Sequence, residues 1–250
     1  MSPRPANLRN SVISLCAIGA LCVPITRSVR ADDPAPEAAP KGDDVALITL
    51  SEGLRLDAAL GIVEFDARVS PMILTGAHGR DHFLLEQFVC TAGTKDHESL
   101  IVTAVKPSAI HAALLAAGGE PGAPVTWVLE GEAPRAVPPH GTALKVEFYV
   151  ENDTAIDPRT WVIDSETKEP LTDGGWVFAG STQKTSRGTP FYEADAAGTL
   201  IGLAGFGSET IAWSTPISDQ EEEGELRWIA NREVIPQGDT PVRVRVTVVK

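Results

Sequence analysis

Cysteine is almost missing from this 250-residue sequence, which has Cys16, Cys22 and Cys90 only. Two of the three lie in the first 31 residues, and the rest of the chain has one thiol. One thiol cannot close an internal disulfide, nor can it build an iron–sulfur cluster or a Cys-rich zinc site. Methionine is as scarce, with Met72 the single one after Met1. Basic residues are outnumbered, 21 against 34 acidic, for a net charge of −13. Such a chain is repelled by phosphate backbones and anionic lipid. No basic stripe with interleaved aromatics offsets that, so nucleic acid is excluded as a partner. No internal repeat recurs at a fixed period.

The N-terminal region has an order of its own. Arg4 and Arg9 precede an apolar run at 12–23, followed by Pro24 and a short segment ending Val29-Arg30-Ala31. Charged, apolar and small-residue regions in that order define a cleavable export signal over residues 1–31, with cleavage expected after Ala31. The run of 12 residues is short of the roughly 20 that cross a bilayer, so no membrane span is expected once the signal is cleaved. Removal of 1–31 takes away four arginines and no acid, leaving 17 basic and 34 acidic residues. Residues 32–44 are Pro, Ala, acidic groups, one Lys and one Gly. They cannot bury enough apolar area to offset chain entropy and read as a disordered spacer. A single domain is expected over 45–250, exported to the periplasm or the extracellular space.

Three segments of that domain alternate at period two, the pattern of strands with one buried face. In 63–69, Val63, Phe65, Ala67 and Val69 oppose Glu64, Asp66 and Arg68. Lys145, Glu147 and Tyr149 oppose Val146, Phe148 and Val150, and near the C-terminus Val242, Val244, Val246 and Val248 oppose Arg243, Arg245 and Thr247. Charged faces of this kind meet water, which predicts largely antiparallel sheets. Further strands are expected at 45–50, 84–91, 99–105, 125–129, 160–163, 175–179 and 199–203. Residues 84–105 read as a hairpin. One helix is predicted from Pro107 to the Gly118-Gly119 stop, with Ile110, Ala113, Leu114 and Ala117 on one stripe. The fold class is therefore α+β and β-rich: mostly antiparallel, sandwich-like sheets with one main helix at about 107–117.

Chemistry-bearing residues gather in the loop between the two middle strands. Lys95, His97, Glu98 and Ser99 follow Cys90 there, and His111 lies on the helix. As a ligand-binding group these five are the candidate site. Cys90 with His97 has the residue types of a nucleophile and its base, but Cys90 shares a strand face with Phe88 and reads as core. A copper centre of one Cys, two His and an axial Met is a poor fit, since six residues separate Cys90 from His97 and Met72 lies upstream. On a helical wheel His111 falls inside the apolar arc, which predicts a partly buried, hydrogen-bonded imidazole packed against His97. Trp127, Trp161, Trp176, Trp213 and Trp228 read mainly as core anchors, with one or two available to line a groove. The acidic run 219–225 lacks the alternating ligands of a Ca²⁺ loop. Gly205-Phe206-Gly207-Ser208 is too short for a phosphate loop. Asn152-Asp153-Thr154 has the form of a glycosylation acceptor.

Phe88-Val89-Cys90-Thr91-Ala92-Gly93-Thr94-Lys95-Asp96-His97-Glu98-Ser99-Leu100 and then Lys106-Pro107-Ser108-Ala109-Ile110-His111 resemble the YdjY-type domain family. Gly175-Trp176-Val177-Phe178-Ala179-Gly180-Ser181, Ala194-Asp195-Ala196-Ala197-Gly198-Thr199-Leu200-Ile201 and Trp228-Ile229-Ala230-Asn231-Arg232-Glu233-Val234-Ile235-Pro236 extend the resemblance across about 45–249. The resemblance implies an exported protein of planctomycete-type bacteria. The family's enterobacterial namesake is associated with ferredoxin-like cysteines, a pattern from which this sequence departs. The expectation is thus a non-catalytic binding or interaction domain for a protein or small-molecule ligand, with no metal and no cofactor. Its alternatives are a metal-binding or redox protein using Cys90, His97 and His111, and an unrecognised hydrolase.

Overall fold

The computed structural model describes residues 46–76, 82–130, 133–151, 153–219 and 226–250. The expected export signal and spacer, Asn152 and most of the acidic run lie outside them.

Period-two sequence becomes strand wherever one face can be buried. The chain opens with β1 (Ile48–Ser51), β2 (Leu54–Asp57) and β3 (Ile62–Val69), an antiparallel meander. β4 (Gln87–Thr91) and β5 (Ser99–Thr103) follow, then helix α1 (Pro107–Ala116). Pro107 starts the helix where its missing N–H costs nothing, and Gly118 ends it at φ 88°. Ile110, Ala113 and Leu114 turn inward, as the stripe predicts.

The middle of the chain is built of short pieces: β6 (Pro121–Ala123), β7 (Thr126–Glu130), β8 (Ala133–Val137) and β9 (His140–Gly141). After them come β10 (Ala143–Tyr149), β11 (Ala155–Ile156), β12 (Val162–Asp164) and β13 (Trp176–Val177). A hairpin, β14 (Gln183–Ser186) and β15 (Thr189–Tyr192), leads into the one-turn helix α2 (Glu193–Ala197). The last strands are β16 (Thr199–Gly202), β17 (Ala212–Trp213), β18 (Trp228–Ala230) and β19 (Pro241–Val248).

The main sheet runs β16-β4-β5-β3-β19-β10-β13-β17. Its two end strands meet: Gly202 N donates to Ile211 O and Ile211 N to Leu200 O, each at 2.9 Å. Ile201 and Ile211 thereby form a parallel bridge that joins the sheet into a ring. At its centre the register stacks Val63, Val246 and Val146 in one row and Phe65, Val244 and Phe148 in the next. All six are buried, at the centre of the one apolar core.

Three sequence expectations are corrected here. Residues 84–105 are not a hairpin, because β4 and β5 run parallel with Gln87 opposite Ser99 and Thr91 opposite Thr103. β4 is about 13 Å long, and the seven linking residues can reach about 24 Å, enough to return along it. Asp96 holds that return in shape: its Oδ1 accepts from Gly93 N at 2.7 Å and Thr94 N at 3.1 Å. The charged face of β3 also fails to meet water at one position. Glu64 is 0 % exposed, roofed by Arg55, Arg243 and Arg245. Long arginine stems cover surface while their heads find a partner. Residues 160–161, expected as strand, instead end a 3-10 turn that precedes β12.

Candidate functional site

Of the five candidate residues, the fold brings three together and adds one that the sequence did not announce. Lys95, His97 and Glu98 lie on the return loop between β4 and β5, which places them beside Glu86 at the entry to β4. Lys95 Nζ is 2.7 Å from Glu86 Oε2 and 3.2 Å from Glu98 Oε2, and 4.2 Å from the centre of the Phe206 ring. His97 Nε2 is 3.0 Å from Glu98 Oε1, with its ring edge-on to Phe83. Burial, helped by a hydrogen bond to Glu98, pushes the Glu86 carboxyl up to about 7. Burial also acts on Glu98, but the Glu86 hydrogen bond and Lys95 outweigh it and hold that carboxyl below its ordinary value. Below about pH 7 the two carboxyls thus share a proton that resides on Glu86, with Lys95 beside both. Ser99 is buried beneath them and donates to the Lys95 carbonyl at 2.8 Å, so it pins the turn.

Cys90 and His111 belong to other neighbourhoods. Cys90 is 0 % exposed, its Sγ 3.9 Å from Asp96 Oδ1, and burial pushes its thiol up. His111 Nδ1 is 2.9 Å from Tyr192 Oη, and its ring packs edge-on to Phe178. Tyr192 Oη donates to Gly180 O at 3.0 Å and also meets Thr210 Oγ1 at 3.0 Å. A phenol has one proton, so with Gly180 as its acceptor the imidazole and the threonine act as donors. Burial lowers the His111 imidazole and pushes Tyr192 up to about 12. His111 is thus half-buried and hydrogen-bonded, as the helical wheel implies. The expected His97–His111 contact gives way to Glu98 and Phe83 on one side and Tyr192 and Phe178 on the other, because α2 and β15 supply His111 with a nearer partner. Asp195 of α2 also caps α1, accepting from Ser108 N at 2.8 Å and Ser108 Oγ at 2.6 Å.

A second place is concave. A cleft of about 490 Å³ lies between the β12–β18 ribbon and the segment after β17. Leu171, Pro170, Pro216, Ile217, Trp213 and Trp228 supply its apolar part. Its ionisable lining is Asp164, Glu166, Glu169, Asp173 and Arg227. Asp164 is committed to structure: its Oδ1 accepts from Glu166 N and Thr167 N, and its Oδ2 from Arg227 Nε at 2.7 Å. The Thr167 amide first, then the Glu166 amide and Arg227, hold that carboxyl low despite its burial. Arg227 also lies 5.6 Å over the Trp228 ring. Trp213 is 3 % exposed and its indole nitrogen has no acceptor in the structure. Sequence reasoning allowed for one or two groove-lining tryptophans. The acids around them gave no signal, because they come from a turn with no motif of its own.

Among the described residues, no group of three or more His, Cys, Asp and Glu side chains is gathered as a metal ion would require. Nor is any helix long and apolar enough to cross a membrane. A β-rich ring with one main helix and an accessory ribbon defines the class of domain among the described residues. The chain belongs to the YdjY domain family, whose model matches residues 54–247. No curated protein and no solved structure matches it significantly. Membership assigns a domain and no reaction.

Proposed function

We propose that the chain is an exported, non-catalytic binding domain that receives its ligand in the cleft beside Trp228. The observation that carries this reading is the contrast between the two sites. Lys95, Glu86 and Glu98 satisfy one another, whereas the cleft offers about 490 Å³ of concave space with apolar and charged walls. That volume is in the range of small-ligand pockets. Export rests on the order of regions in residues 1–31.

The test is a thermal-shift panel of amines, peptides, sugars and nucleotides on the purified protein, repeated on Thr215→Trp, which narrows the cleft at an exposed position. At least one class is expected to raise the melting temperature of the wild type and not of the variant. A panel that shifts neither protein sinks the reading. N-terminal sequencing of secreted protein is expected to begin near Asp32.

A second reading, an acid–base hydrolase, has one observation in its favour: Glu86 at about 7 sits where a general acid works at neutral pH. Turnover of ester or glycoside substrates, lost in Glu86→Gln, would favour it over the first.

A further inference from the structure

We propose that the cleft binds an aliphatic oligoamine, a chain carrying two or three ammonium groups; this rests on the cleft being the ligand site. The first ground is charge. Four carboxylates and one guanidinium line the cleft, and the guanidinium of Arg227 is already matched by Asp164. Glu166, Glu169 and Asp173 are left exposed on the rim, and among the described residues no Lys or Arg pairs with them. Lys168, the lysine of the same turn, donates its ammonium to the Ser165 carbonyl at 2.6 Å. An uncompensated charge of three therefore faces the cleft in a chain whose net charge is already −13, and a field of that sign raises the local concentration of cations.

The second ground is how the charge is spread. A hard divalent cation needs six or more oxygens converging at one point. Among the described residues Glu166, Glu169 and Asp173 are not gathered into one group that could hold a metal ion, so the rim carboxylates suit positive charges separated along a chain. The third ground is the apolar wall. Pro170, Leu171, Pro216 and Ile217 lie among these acids, which fits methylene segments between ammonium groups. Trp228 adds a ring whose face already accepts a cation from Arg227. Ammonium, methylene and π contacts are thus available together, and a sugar or a nucleotide would leave the three carboxylates unmatched.

Calorimetric titration with spermidine tests the proposal. Saturable binding is expected, weakened about tenfold or more by the pair Glu169→Gln and Asp173→Asn. Raising NaCl from about 20 to about 300 mM should also weaken it. Both substituted groups are exposed, so the melting temperature should hold, and circular dichroism checks that. Glu147→Gln, which removes an acid paired with Lys145 on the ring's outer face, should leave affinity unchanged. An equal loss in Glu147→Gln would assign the effect to the diffuse field of an acidic protein and overturn the proposal. Absence of binding at millimolar spermidine would overturn it too. Trilysine binding more than about tenfold tighter than spermidine would replace a free oligoamine by a lysine-bearing protein partner. If spermidine fails while another class in the thermal-shift panel binds the cleft, this inference falls and the binding function stands.

Discussion

Glu64 and Arg245 face each other across β3 and β19, with the arginine Nε 2.7 Å and Nη2 2.6 Å from Glu64 Oε1, although the glutamate is wholly buried. The strand register makes this pair: Glu64 lies opposite Arg245 on one side and Arg55 on the other. Arg243 and Arg245 in turn lie 4.8 and 4.9 Å over the Tyr149 ring. A carboxylate on an outer sheet face is thus enclosed by side chains of its own sheet.

Removing the carboxylate strands the Arg245 guanidinium, which is partly withdrawn from water, whereas Arg55 keeps Asp66 and Arg243 keeps Asp153. Glu64→Ala is expected to cost about 3 kcal/mol, measured by urea unfolding. Glu64→Gln, which keeps the shape, should cost less. A loss under about 0.5 kcal/mol for Glu64→Ala would show the cluster to be ornamental surface charge.

Glu86 and Glu209 set a pH dependence. Burial pushes Glu86 up to about 7 and Glu209 up to about 6, the latter against amide hydrogen bonds from its own loop. A raised carboxyl binds its proton more tightly folded than unfolded, so stability falls as pH rises from about 4.5 towards 7. His111, whose imidazole is lowered, acts in the opposite sense up to its unfolded value. Glu86→Gln isolates the effect: near wild-type stability at pH 5, and more stable by about 1–2 kcal/mol at pH 8. Equal stability differences at the two pH values would refute the shared proton.

Cys90 is expected to resist a water-soluble thiol reagent in the native protein at pH 8 and to react fully once denaturant is added. Its burial keeps the thiol protonated and covered. Modification within seconds without denaturant would return it to the list of candidate nucleophiles.

Tyr192→Phe deletes a hydroxyl that joins His111, Gly180 and Thr210. The expected loss is about 1–3 kcal/mol, because partners inside the fold are left unmatched. His111→Ala should cost a similar amount, and the double variant less than the sum, as for residues in one network. Strict additivity would argue against the network.

The long alternating segments at 63–69, 145–150 and 242–248 were legible because each has one face in the core, and α1 because its stripe is continuous from Ile110 to Ala117. Strands of two or three residues, such as β13 and β17, are too short to show any period. The parallel pairing of β4 and β5 was hidden because two apolar runs joined by a Gly-containing loop read as a hairpin, and what reverses the chain is one side chain, Asp96. At the candidate site, Lys95, His97 and Glu98 could be grouped because they are neighbours in sequence. Glu86 reaches them only through the fold, and the cleft is assembled from β12, the turn after it, the segment after β17 and β18.

β19 comes last among the described strands, yet it lies in the middle of the sheet, between β3 and β10. Without residues 241–248, β3 and β10 would each present an unpaired edge and the row from Val63 to Val146 would lose its central valine. A growing chain cannot complete this core from its leading end, as domains that fold during synthesis do. Folding must wait for residues 241–248, so whatever still holds that one segment back keeps the rest of the domain from closing.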